Sequence, residues 1–430
     1  MNMNAIGIDV SKRKSMVAIL RPGGEVVAKP FEVSHLSKDL QSLIHRIRAL
    51  DGESRIVMEC TGHYYETIAH ELVSAGLFVS AVNPQLIHHY QDEDNSLRKV
   101  KSDKADSLKI ARYTLDRWSK LKQYGLMDEL RNQLKTMNRQ FGFYMKHKTA
   151  MKNNLIGLLD QTYPGVITYF DSPAREDGSQ KWVDFADCYW HADCVRKMSA
   201  DAFVDHYQKW CHRKKYNFSK TKAEEIYETA KELVSVLPKD VFTKRIIKQA
   251  VEQLNTASRT VEQLRCLMNE TAAQLPEYSV VMAMKGVGPS LGPQLIAEIG
   301  DVSRFTHRNA ITAFAGVDPG VNESGDYSQK SVHASKHGSP ALRKTLFQVM
   351  DVLIKTKPQD APVYLFMDKK RAQGKAYYVY MTAGANKFLR IYYGRVKEYL
   401  VLDGELRETQ TANYFSSFSP VDCAVPSANA

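Results

Sequence analysis

The chain switches hydrophobic period once, near its start, and in an order that few folds accommodate. Three short runs rich in apolar and β-branched residues come first, at 5–9, 15–20 and 25–33, with Arg21-Pro22-Gly23-Gly24 as a turn between the second and third. Runs of this kind bounded by Gly and Pro read as strands, and their tight connections make an antiparallel meander. The period then changes. Residues 37–49 place Leu40, Leu43, Ile44 and Ile47 on one helical face, 55–60 form a fourth strand, 64–75 a helix, and 77–82 a fifth strand closed by Asn83-Pro84. A further helix covers 103–118. A meander followed by alternating helices and strands implies an α/β domain built on one mixed sheet.

Four acids fall at telling positions in that pattern. Asp9 ends the apolar run Ala5-Ile6-Gly7-Ile8, and Glu59 ends Ile56-Val57-Met58. Asp103 and Asp106 lie three apart at the start of the helix KSDKADSLKIARY. Singly, each has an ordinary explanation: an Asp after a strand is a turn or cap residue, and acids in a first turn favour the helix dipole. Together they match the RNase H-like (RuvC-like) order, in which the first strand is central and the fourth lies beside it. The ends of those strands approach each other, and residues three apart share one helix face. Four clustered carboxylates repel one another unless cations neutralise them. Two Mg²⁺ ions, with Mn²⁺ as a substitute, would do so through oxygen ligands, and a metal pair about 3.5–4 Å apart clamps a phosphodiester for in-line displacement.

The formal net charge of +11 over 430 residues suggests a polyanionic partner. Lys and Arg are spread along the chain, which favours nucleic acid over a membrane surface. Asp9 interrupts the first apolar run before a signal-peptide core could form, and no stretch approaches the roughly 20 apolar residues of a membrane span. A cytoplasmic protein, nucleoid-associated when on DNA, is expected. The six cysteines are scattered and form no disulfide framework. Cys188, His191, Cys194, Cys211 and His212 share one segment, but CxxHxxC is no strong zinc signature, and the Trp and Tyr residues around it point to a packed aromatic insert.

The pattern divides the chain into a catalytic domain (1–125), a helical or coiled-coil region (126–275) with an insert at about 161–219, a mainly helical C-terminal domain (276–403) and a flexible tail (404–430). In the middle region, Leu130, Leu134, Met137, Phe141, Tyr144 and Met145 form one apolar stripe, and Val251, Leu254, Val261, Leu264 and Leu267 another. Such stripes seek partner helices, so a homo-oligomer, dimer or tetramer, is expected. The C-terminal domain opens with a helix, Gly286-Val287-Gly288 and a second helix, the order of a helix-hairpin-helix or of a plain connector. In the first case Lys285, Gly286 and Gly288 would approach a phosphate. A loop rich in Gly, Ser and basic residues follows, carrying Ser324, Lys330, His333, Lys336, His337 and Arg343.

This ordered set resembles one family, the DEDD transposases of insertion-sequence family one-ten, which includes the Piv-type DNA invertases. Gly7-Ile8-Asp9, Met58-Glu59-Cys60-Thr61-Gly62 and Lys101-Ser102-Asp103-Lys104-Ala105-Asp106 are similar to its RuvC-like domain. Gly286-Val287-Gly288, Ala297-Glu298-Ile299-Gly300, Phe314-Ala315-Gly316-Val317, Glu323-Ser324-Gly325, Ser335-Lys336 with Gly338, and Leu342-Arg343 follow in the order of its transposase domain. Ser107 stands where the family usually has Ala, Asn322 where relatives often carry an aromatic, and the insert is longer than in compact members. The resemblance implies a recombinase that cuts and rejoins DNA, with Asp9, Glu59, Asp103 and Asp106 as metal ligands and Ser324 as the catalytic serine forming a phosphoserine link. Lys336 and Arg343 are candidates for holding phosphate. It also implies donor and target DNA and a structured non-coding guide RNA as partners. A site-specific invertase and a RuvC-type junction nuclease using metal-activated water are the alternatives within the fold. The actin and sugar-kinase ATPases share the Gly7-Ile8-Asp9-Val10 opening, but the Gly-rich phosphate loops they need are missing near Glu59 and Asp103.

Overall fold

The computed structural model describes residues 2–60, 62–90, 102–319 and 334–416, together with 323–324 and 327–328; side chains beyond 402 and in that hairpin are not described. Thr61, Lys101, Asn322, Gly325, Lys330 and His333 therefore lie outside the described residues, as does the Ser324 side chain. The chain forms two compact units, Met1–Met127 and Asp128–Ala430.

The first unit consists of β1 (Met3–Val10), β2 (Lys14–Leu20), β3 (Val26–Ser34), α1 (Ser37–Arg48), β4 (Glu53–Glu59), α2 (Tyr64–Ser74), β5 (Phe78–Val82), α3 (Pro84–His88) and α4 (Asp103–Asp116). The five strands make one sheet in the order β3-β2-β1-β4-β5. β1 pairs antiparallel with β2, and β2 with β3; β1 and β4, and β4 and β5, run parallel. This is the RNase H-like arrangement expected from the sequence, with β1 central and β4 beside it.

Strand alternation decides what each face of the sheet meets. Ile6, Ile8, Ile56 and Met58 point to one side, into a core with Leu40, Leu43 and Ile44 of α1 and Ile68 and Leu72 of α2. Gly7 and Asp9 point to the other, as do Val57 and Glu59. There Val57 packs with Ile110 and Tyr113 of α4. Helix α4 buries Ser107, Ile110, Ala111 and Thr114, a stripe of helical spacing. Gly7 permits its approach: a Cβ on Gly7 would lie 2.2 Å from the Ser107 carbonyl oxygen and 2.3 Å from the Ala111 nitrogen.

The second unit is helical. In chain order it contains α5 (Glu129–Leu159), α6 (Lys181–Cys188), α7 (Asp193–Arg196), α8 (Ala200–Arg213), α9 (Lys220–Glu232), α10 (Val241–Ala272), α11 (Tyr278–Met282), α12 (Leu291–Ile299), α13 (Arg308–Ala315), β6 (Glu323–Ser324), β7 (Tyr327–Ser328), α14 (Pro340–Thr356), α15 (Pro362–Ala372) and α16 (Tyr377–Ser416). The long helices α5 and α10 pack on each other and carry a separate core at each end. One core joins Leu155 and Leu159 of α5 and Ile247 to Leu254 of α10 to the aromatic insert, around Tyr163, Phe185, Tyr189, Tyr207 and Trp210. The other joins Leu134, Phe141, Val261 and Met268 to α11–α16.

Three expectations change. Most residues of the α5 and α10 stripes pack against each other and these two cores, with Leu267 left exposed, so the stripes find partner helices within the chain. No break falls at 275/276, because one core spans it. The last helix runs past 404 to Ser416, where a flexible tail was expected; GELRETQ supplies enough good helix formers to continue it. The insert is the packed aromatic body read from its composition. Both His191 ring nitrogens are engaged, Nδ1 accepting from Asp193 N–H at 3.0 Å and Nε2 facing the Leu237 carbonyl at 3.0 Å, and Cys211 is buried among the aromatics. Among the described residues no helix is long and apolar enough to cross a membrane.

Candidate active site

The parallel register Ile8↔Met58 puts Asp9 and Glu59 side by side one step further on, at the same end of β1 and β4. Both face the side that carries α4. Asp103 and Asp106 occupy the first turn of α4, which Ser102 caps by accepting from Ala105 N–H at 3.2 Å. Ser107, the departure beside Asp106, is buried and donates its hydroxyl to the Lys104 carbonyl at 2.9 Å, so the substitution strands no polar group.

These acids act on one another. Burial pushes the Asp9 carboxyl up to about 6, and the charges of Asp106 and Asp103 push the same way. Glu59 is also raised, first by burial and then by Asp9 and Asp106, with Lys109 opposing. Among the described residues no cation forms an ion pair with any of the four. Three or more metal-binding side chains at ligand spacing are likewise not found among the described residues. The carboxylates thus sit within range of each other's charge, with Lys109 offsetting only part of the repulsion at Glu59. An all-oxygen, unpaired, mutually repelling donor set suits hard divalent cations such as Mg²⁺.

The C-terminal candidates separate into groups. Ser324 lies in the β6–β7 hairpin, paired with Tyr327. The segment carrying it is tied down at both bases. Gly316 and Gly338 cross so closely that a Cβ on Gly338 would lie 2.1 Å from the Phe314 carbonyl. Ser335 donates to Asp318 at 2.6 Å, and Ser339 to Glu298 at 3.2 Å. Glu298 is buried and also accepts from Asn138 at 2.7 Å and Arg139 at 2.9 Å, which fixes this base to α5. The sequence motif gives Glu298 no role of its own; an acid inside the otherwise apolar LIAEIG helix is the signal that marks it.

Arg343 donates to the Ala315 carbonyl at 2.9 Å, closing the end of α13. Lys336 is exposed, with a positive φ of 55°. Lys285 pairs with Asp360 at 2.9 Å. Gly286 has φ 82°, and a Cβ there would strike Leu353 of α14 at 2.8 Å, so packing and backbone both require glycine. A Cβ on Gly288 would meet nothing within 4 Å. Helices α11 and α12 flank this turn in the expected order, but α12 is enclosed along nearly its whole length.

A family model described as a transposase, of the DEDD type named for IS110, matches residues 6–164, and the model of the transposase IS116/IS110/IS902 family matches residues 278–365. A Streptomyces coelicolor mini-circle protein named as a transposase for IS117 is 24% identical over 328 residues, 74% of this chain and 77% of that protein. The pilin gene-inverting protein of Moraxella bovis is 22% identical over 353 residues, 82% of this chain and 83% of that one. Among solved structures, Thermus thermophilus RuvC in complex with a Holliday junction substrate aligns with 29% of this chain and 99% of its own, at 12% identity and a TM-score of 0.21. With one model over the four acids and the other over the region that holds Ser324, in that order, the chain belongs to the IS116/IS110/IS902 family of transposases.

Proposed function

We propose that this protein cuts and rejoins the DNA of an insertion sequence through a phosphoserine intermediate. The observation that carries the reading is the set of four carboxylates at one end of the β1–β4 strand pair, coupled in charge and without an ion pair among the described residues. Asp9, Glu59, Asp103 and Asp106 would hold two Mg²⁺ ions. When bound, these supply Lewis-acid charge to the oxygens of a scissile phosphodiester. The Ser324 hydroxyl is the nucleophile: its oxygen forms a bond to phosphorus, the bond from phosphorus to the departing sugar oxygen breaks, and that oxygen leaves as a hydroxyl with the serine proton. The phosphoserine ester keeps the bond energy, so a hydroxyl on a second strand can displace Ser324 and complete the exchange. Lys336, exposed on the same segment, would contact phosphate.

The partners of this reading are donor element ends, target DNA and a structured non-coding RNA from the element itself, acting in the cytoplasm on the nucleoid. The net charge of +11 supports a nucleic-acid partner. Base pairing would carry sequence choice while the protein holds backbone and shape. A second reading, a site-specific invertase, is favoured by the similarity to the Moraxella bovis pilin gene-inverting protein over 82% of the chain.

Junction PCR in cells carrying the gene with its native flanking DNA tests the reading. Wild type, Asp9→Ala and Ser324→Ala are compared at matched expression, and a circular-element or insertion junction is expected with wild type only. A junction that survives Ser324→Ala refutes the serine mechanism and leaves hydrolysis by metal-activated water, as in a junction nuclease. An inverted flanking segment in place of a junction establishes the invertase.

A further inference from the structure

The corner between α15 and α16 is built from features that the reaction above does not use. Its sequence, KKRAQGKAYY from Lys369 to Tyr378, places four cations beside two aromatics, and Asp368 is the only acid in residues 362–379. All residues from Arg371 to Val379 are exposed. The simplest role for cations in a last helical turn is to satisfy its free carbonyls and the helix dipole. Here the backbone already closes those carbonyls. Lys375 N–H donates to Lys370 at 3.2 Å, Gly374 N–H to Arg371 at 3.0 Å and Gln373 N–H to Lys369 at 3.1 Å, with Gly374 at φ 73°. This backbone pattern fixes the corner without side chains. Lys370 lies over the Phe366 ring at 5.0 Å. That leaves Lys369, Arg371 and Lys375 exposed, with no ion pair among the described residues.

The aromatics are exposed yet held in place. Tyr378 is 73% exposed, its ring centroid 6.5 Å from that of Phe347 of α14. Tyr377 donates its hydroxyl to Asp351 at 3.0 Å and meets the rings of Tyr378 and Tyr380 edge-on at 5.2 and 5.5 Å. A large ring pinned by its neighbours and left facing water is a stacking platform, ordered before any ligand arrives. Cations flank it at the N-terminus of α16, the positive end of that helix.

We infer that the α15–α16 corner binds single-stranded DNA, with an unpaired base stacked on Tyr378 and the adjoining phosphates on Lys369, Arg371 and Lys375. A duplex hides its base faces within the stack, so it would use the cations and leave the ring idle. A recombination reaction that opens DNA ends supplies unpaired strands to such a surface. The proposal extends beyond the active site, and its readout is binding, so its failure and that of the strand-exchange chemistry can be told apart.

The test is fluorescence anisotropy of a labelled oligo-dT strand with the full chain, beside a duplex and an oligo-U strand. Tyr378→Ala should weaken oligo-dT binding by roughly 5- to 150-fold, the range for losing one base–aromatic stack. Tyr378→Phe should restore it, and duplex affinity should not change. Replacing Lys369, Arg371 and Lys375 together by Ala should reduce the salt slope for oligo-dT by about 2, near 0.7 for each phosphate contact. These three side chains are exposed, so that variant decides the matter if Tyr378→Ala fails to fold. Unchanged oligo-dT affinity in the two variants, equal loss on duplex with Tyr378→Ala, or a loss confined to oligo-U would each overturn the proposal.

Discussion

Gly7→Ala is a one-carbon change aimed at the support of the acid cluster. The new Cβ would lie 2.2 Å from the Ser107 carbonyl oxygen and 2.3 Å from the Ala111 nitrogen, where ordinary contact begins at 3.4 Å. Helix α4 or strand β1 must therefore yield by about 1 Å, and both obstructing atoms are backbone, so no side chain can swing aside. Overpacking of this kind costs about 1–3 kcal/mol, with the upper end expected for backbone atoms. For a unit of this size that lowers Tm by on the order of 10 °C. The functional loss should exceed what the residual folded fraction explains. Asp103 and Asp106 ride on the displaced helix, and a misplacement of about 1 Å can cost 100-fold in rate. The assay is thermal melting together with quantitative PCR of the recombination junction, at a temperature where the variant is still folded. Gly142→Ala is the control: a Cβ there meets nothing within 4 Å, and α5 should gain up to about 1 kcal/mol from the change. A Gly7→Ala protein with wild-type Tm and wild-type junction yield would refute the reasoning that close contact between α4 and β1 assembles the site.

Two further outcomes are expected. Asp9 titrates near 6 in the folded chain against an ordinary value of 3.8, so between those limits the folded state holds more protons than the unfolded one. Without added divalent metal, the stability that Asp9 contributes should be greatest below about pH 4 and be lost as pH rises through 6, by roughly 1–2 kcal/mol once solvent screening of this half-exposed group is allowed for. Asp9→Asn should flatten that fall in a pH series of melts and reduce the Tm gain that Mg²⁺ gives wild type at pH 7; an Asn variant with an unchanged pH profile would count against the cluster. In the second unit, Glu298→Ala removes the acceptor shared by Asn138, Arg139 and Ser339. It should destabilise that unit by about 2–4 kcal/mol in urea titration, with Glu298→Gln costing less, and an undisturbed midpoint would refute the anchoring role.

Period-2 and period-3.6 patterns were enough to place every strand of the sheet and the helix that carries Asp103 and Asp106. The central place of β1 with β4 beside it followed from the RNase H-like element order and was met, because both strands are apolar on both faces. The geometry of the acids was partly legible. Position at strand ends could be read, whereas the approach of α4 onto Gly7 depends on a contact between residues a hundred positions apart. The stripes of α5 and α10 pointed to a partner helix, and periodicity says that a face needs a partner and not which helix supplies it. The same limit hid Glu298. Its value lies in three donors from α5 and the start of α14, none near it in sequence. The α15–α16 corner was the opposite case: its cations and aromatics are contiguous and could have been noticed, but their exposure and the bonds that pin the rings could not.

The pairing of α5 with α10 sets a schedule for the chain as it leaves the ribosome. The apolar stripe of α5 is complete long before its partner exists, because residues 160–240 are made in between. At about 5–20 residues per second, α5 waits on the order of ten seconds. The insert emerges during that interval and has its own aromatic cluster with which to cover Leu155 and Leu159. The first half of α10 to appear, Ile247 to Leu254, completes that core, and Val261 and Met268 then lie against Leu134 and Phe141 as the helix extends. Synthesis from the amino end thus docks α10 progressively, the insert end first, so the loop between α5 and α10 need not be closed in a single step.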